Sequence, residues 1–154
     1  MGAELSIETE PPLSWPDVFL QMDTKYFHRT MFGPRLETLE RHLKLDLTPL
    51  KHCALEEELL EEHDDPECAA EVKQSNDLAW QRPRALIDCL QQLADRLEEL
   101  GDELPPAMVK DLKPVGGERA YYRSQWLFND VSTCLAAIRQ LKKQGARRVR
   151  FVVY

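Results

Sequence analysis

No two cysteines of this chain stand in C-x-x-C spacing, no two histidines in H-x-x-x-H, and no glutamate lies three residues before a histidine. Those spacings put two ligands on one helical face or one tight turn, so their absence removes the usual sequence grounds for a metal site. The G-x-S-x-G elbow is missing, as are the G-x-G-x-x-G and Walker patterns. With them go the standard signs of a serine hydrolase and of a phosphate-cradling loop. Gly116-Gly117 precedes a helix and needs no more than a loop to explain it. No catalytic residue, metal ligand or cofactor is therefore expected.

Long apolar runs are also lacking. None approaches the ~20 residues that span a bilayer, and no basic stretch leads into an apolar one at the N-terminus. Met1-Gly-Ala-Glu-Leu-Ser6 fits the N-myristoylation pattern, yet its neighbours Glu4, Glu8 and Glu10 would be repelled by an anionic membrane. Ala3, Leu5 and Ile7 alternate with polar residues, which reads as a half-buried strand over 3–8. The four cysteines, Cys53, Cys68, Cys89 and Cys134, form no compact disulfide framework. Free thiols, a soluble chain and a cytoplasmic location are the expectations.

One further absence is of charge. The last 24 residues hold no acid but carry Arg139, Lys142, Lys143, Arg147, Arg148 and Arg150, whereas the whole chain is −7. The opposite imbalance lies at 56–67, where Glu56, Glu57, Glu58, Glu61, Glu62, Asp64, Asp65 and Glu67 meet no Lys or Arg.

What is present is mostly helical patterning. Ser14 is placed to cap a short helix from Trp15 to Met22. Leu36, Leu39 and Leu43 form one stripe from Arg35 to Leu45. Thr48-Pro49 opens a further helical candidate with Leu55, Leu59 and Leu60 as a thin apolar face. A helix from about Glu67 to Trp80 follows Asp65-Pro66. The clearest stripe is Leu86, Ile87, Leu90, Leu93, Ala94, Leu97 and Leu100, ended by Gly101. Pro105-Pro106 starts a short helix through Leu112. From Glu118 another stripe steps by four and three through Ala120, Ser124, Leu127, Val131, Cys134, Ile138 and Leu141 until Gly145.

Residues 147–154 alternate, with Val149, Phe151 and Val153 on one face and Arg148 and Arg150 on the other. Pairing this strand with the N-terminal one satisfies the backbone of both. The expected fold is α+β and predominantly helical, with five or six helices on a small sheet of the two terminal strands. At 154 residues, one globular domain over 1–154 is expected.

The candidate functional residues follow from charge and aromaticity. The run Glu57, Glu58, Glu61, Glu62, Asp64 and Asp65 could face a basic protein and speed its association. Tyr122 and Trp126 are interface-anchor candidates. Arg147, Arg148 and Arg150 could contact phosphates, but the overall negative charge repels a polyanion and ranks nucleic acid below protein as a partner. His28, set among aromatics, is a candidate general base without an orienting carboxylate in the sequence. The expected function is a non-enzymatic protein-interaction or regulatory module, immunity-like in size and charge. Nucleic-acid association and an enzyme with a scattered active site stand as alternatives, and homo-oligomerisation stays open.

Overall fold

The computed structural model describes residues 5–13, 22, 24–51, 53–55 and 66–153. The alternating residues at both ends form the expected strands, β1 at Leu5–Glu10 and β3 at Arg148–Val153. They pair antiparallel, from Leu5 opposite Val153 to Glu10 opposite Arg148. Leu5, Ile7, Val149 and Phe151 turn inward and are buried.

A third strand, β2 at Ala54–Leu55, runs parallel to β3 on its other side. The sheet order is therefore β1-β3-β2, and Gln81 exchanges two backbone hydrogen bonds with Val149, each 2.9 Å. A sheet of the two terminal strands alone would leave the basic strand at an edge. It is the central one, and its second face is also covered, because Val152, Ala54 and Ala79 form a small buried cluster there.

Seven α-helices occur among the described residues: α1 Thr24–Met31, α2 Arg35–Leu43, α3 Pro66–Leu78, α4 Pro83–Leu100, α5 Pro106–Leu112, α6 Glu118–Tyr122 and α7 Trp126–Lys143. The chain is thus α+β and predominantly helical. Three helices begin at proline, whose fixed φ suits the first turn and whose missing N–H is not needed there. Gly101 (φ 83°) and Gly145 (φ 101°) follow α4 and α7 in a region that side-chain-bearing residues avoid. No described helix is long and apolar enough to cross a membrane.

The most extensive helix contact is α4 on α7. Leu86, Leu90, Leu93 and Leu97 meet Leu127, Val131, Cys134, Ile138 and Leu141 in one core that also takes in the inner face of the sheet. Fully burying each such leucine is worth ~1.5–3 kcal/mol.

Three sequence expectations change. The sequence patterning indicates no helix over 24–31, where α1 forms. The stripe from Glu118 is two helices, because the Ser124 hydroxyl donates to the Tyr121 carbonyl at 3.2 Å and receives the Trp126 amide at 3.4 Å. A serine that bonds its local backbone competes with helix continuation. Of the helix expected from Thr48-Pro49, Thr48–Leu50 form a 3-10 turn and Ala54–Leu55 the strand β2, while residues 56–65 lie outside the described residues. The helix expected at Trp15–Met22 and the lipidation pattern at Met1–Ser6 fall largely outside the described residues.

Candidate functional site

Helix α6 is five residues long, yet it organises three different surroundings. Its first residue, Glu118, is 1% exposed. A carboxylate so buried needs charged partners and hydrogen bonds. Arg35, at the start of α2, forms an ion pair with it, and Arg29 of α1 approaches to 3.5 Å. The Val115 amide donates to Glu118 Oε1 at 3.3 Å. Arg35 Nη2 also reaches the Lys113 carbonyl at 3.0 Å, and its Nη1 the Tyr122 hydroxyl at 3.3 Å. The Tyr122 hydroxyl in turn shares a 2.8 Å hydrogen bond with Thr30.

This cluster fixes Tyr122 at 0% exposure. Tyr122 therefore offers no surface to a partner, which corrects its reading as an interface anchor. Its polar end is satisfied inside the fold and its ring is core.

Beside the cluster opens a cleft of about 700 Å³ whose walls include His28, Arg29, Phe32, Thr38 and Val115. His28 is half-buried, and burial, with the Arg29 charge next, holds its pKa below the usual histidine value. A neutral imidazole there can accept a proton. The carboxylate sharing the cleft, Glu118, is already engaged by Arg35 and Arg29, while Asp111 is bonded to His42 at 2.7 Å. His28 has no orienting carboxylate bonded to it among the described residues.

Also on α6, Tyr121 packs against Tyr26, with ring centroids 5.5 Å apart and planes tilted by 52°. The Tyr121 hydroxyl donates to buried Asp130 at 2.7 Å. These rings, with Gly117, Ala120, Ser124 and Trp126, line a recess of about 330 Å³. Trp126, at the first position of α7 and off its apolar stripe, is 57% exposed. Gly117 has an ordinary φ of −66°, so its role is spatial: a Cβ there would collide with the Tyr26 hydroxyl.

The basic strand residues have partners within the fold. Arg150 donates to Glu8 Oε2 from Nε at 3.0 Å and from Nη2 at 2.7 Å, and to the Asn76 carbonyl at 3.2 Å. Arg148 bonds Glu10 through Nε at 3.1 Å. Both guanidinium groups lie over the Trp80 ring, at 4.4 Å for Arg150 and 5.0 Å for Arg148. The acids are those directly opposite in the β1–β3 register. Of the three candidate phosphate contacts, Arg147 is exposed and without an ion pair among the described residues. Arg150 has only 12% of its side chain exposed.

The acidic candidates Glu57, Glu58, Glu61, Glu62, Asp64 and Asp65 lie outside the described residues. Cys53, Cys89 and Cys134 are free thiols. Burial pushes Cys53 and Cys89 up to about 12, and Cys134 further in the same direction. No group of three or more His, Cys, Asp or Glu able to hold a metal occurs among the described residues.

Sequence reasoning missed Arg35 and Glu118. A glutamate in a first helical turn ordinarily reads as a favourable charge at a helix start, and no local signal marks it as buried. No family model, curated protein or solved structure matches the chain.

Proposed function

We propose that this chain is a non-enzymatic protein-binding module, cytoplasmic and regulatory or immunity-like in character, that engages a basic protein. The observation carrying this reading is Trp126, 57% exposed beside the recess lined by Tyr26 and Tyr121. Tryptophan and tyrosine are the side chains most often found at the energetic centre of protein interfaces, where an anchor meets a preformed pocket. The acidic run 56–67 supplies long-range attraction and Trp126 the short-range contact.

Nucleic-acid association has less support, because Arg148 and Arg150 are already matched to Glu10, Glu8 and Trp80. An anchor tryptophan at an interface centre contributes ~2 kcal/mol or more, or about 30-fold in affinity. The test is capture from a lysate of the source organism at low and high salt, using wild type, Trp126→Ala, and a variant with Glu57, Glu58, Glu61 and Glu62 changed to Gln. The proposal expects one basic protein retained by wild type, weakened by high salt, and lost in both variants. No retained protein, or one indifferent to Trp126→Ala, would overturn it.

A further inference from the structure

We propose that the groove between α5 and α6 binds a small organic polyanion, a phosphate ester with an apolar body. This site is separate from the Trp126 surface and independent of the protein-binding reading. The groove encloses about 450 Å³, within the size range of small-ligand sites. Four cations line it, Lys110, Lys113, Arg119 and Arg123, against one acid, Glu103. The chain as a whole is −7, so this concentration runs against its composition.

None of the four cations takes part in an ion pair among the described residues. Arg35, Arg148 and Arg150, by contrast, are each matched to an acid. Here four like charges face one groove with Glu103 alone of opposite sign among the lining residues, an arrangement that is electrostatically unfavourable until an anion offsets it.

The remaining wall is apolar, with Leu104 8% exposed and Val109 partly buried. The Leu104 amide donates to the Tyr122 carbonyl at 3.2 Å, which ties the loop before α5 to α6. Both walls are therefore held in place before a ligand arrives, and preorganisation lowers the ordering cost of binding. Cations at the rim with an aliphatic wall suit an ester whose charged end meets arginine and whose organic part meets Leu104 and Val109.

Phenyl phosphate is a suitable probe, with benzyl alcohol as its uncharged counterpart. Titration of the full chain by calorimetry and by amide chemical shifts should show phenyl phosphate binding, weakened by added salt, with shifts concentrated at 103–123. Benzyl alcohol should not bind. The double variant Arg119→Gln/Arg123→Gln should weaken binding about 100-fold, each lost charge-assisted contact counting about tenfold. Both side chains are exposed, so its melting temperature should stay within a few degrees of wild type. Lys142→Gln, the same charge change on an exposed part of α7, should leave affinity unchanged. Absence of binding by phenyl phosphate, equal binding of benzyl alcohol, or equal weakening by Lys142→Gln would each overturn the proposal. No protein partner enters this test, so its failure leaves the Trp126 reading untouched.

Discussion

Arg35 and Glu118, 83 residues apart in sequence, close a buried ion pair that ties the start of α2 to the start of α6. The same guanidinium holds the Lys113 carbonyl and the Tyr122 hydroxyl. Arg35→Ala leaves Glu118 with Arg29 at 3.5 Å, whose side chain is 47% exposed and well hydrated. Removing one member of a buried pair costs ~3–5 kcal/mol. Urea denaturation should show a loss of that size for Arg35→Ala, and a substantial loss for Arg35→Lys as well, since an ammonium cannot span the three acceptors.

The strand arginines should behave unequally. Arg150 combines an ion pair to Glu8, a bond to the Asn76 carbonyl and the Trp80 face. Arg150→Ala should destabilise the fold by ~1–3 kcal/mol. Arg147 is exposed, and Arg147→Ala should stay within ~0.5 kcal/mol of wild type. Chemical denaturation of the two variants checks this directly.

Gly117→Ala should disturb the aromatic recess through contact rather than backbone strain. The added methyl meets the Tyr26 hydroxyl, so the Tyr26 ring, which packs on Tyr121, must shift. A loss of ~1–3 kcal/mol is expected from overpacking. Tyr26→Phe removes the colliding oxygen, so the double variant should recover part of the loss. A double-mutant cycle showing purely additive effects would contradict this contact.

The thiols set a pH dependence whose direction follows from burial. Cys53 and Cys89 rise from 9.0 to about 12 on folding, so between those values the unfolded chain releases protons that the native chain keeps. Their contribution to stability is complete below pH 9 and is lost as pH rises toward 12. At pH 8 only about one such thiol in ten thousand is ionised, and the thiolate is the reactive form. Native protein should therefore react with a thiol reagent at Cys53 and Cys89 orders of magnitude more slowly than denatured protein, as peptide mapping of the labelled chain can measure.

The sequence reveals elements whose pattern is long enough to have a period. The stripe from Leu86 to Leu100 and the inward face of Val149 and Phe151 both appear in the fold as read. Ala54–Leu55 was illegible because two residues carry no period, and their pairing with Val152 and Val153 spans nearly 100 residues. The break between α6 and α7 was hidden because Ser124 keeps the helical spacing while its hydroxyl bonds the local backbone. The burial of Glu118 and Arg150 was equally out of reach, since it depends on Arg35, Glu8 and Trp80 brought in from distant segments. The exposure of Trp126 was open to sequence reasoning, because its place off the apolar stripe already separated it from the core.

The central claim, that a basic protein docks through Trp126 and the acidic run, is tested most directly by hydrogen–deuterium exchange on the captured complex. The account predicts protection on binding at 117–126 and within 56–67, with residues 147–150 unchanged. Protection confined to 147–150, or none at 117–126, would contradict it.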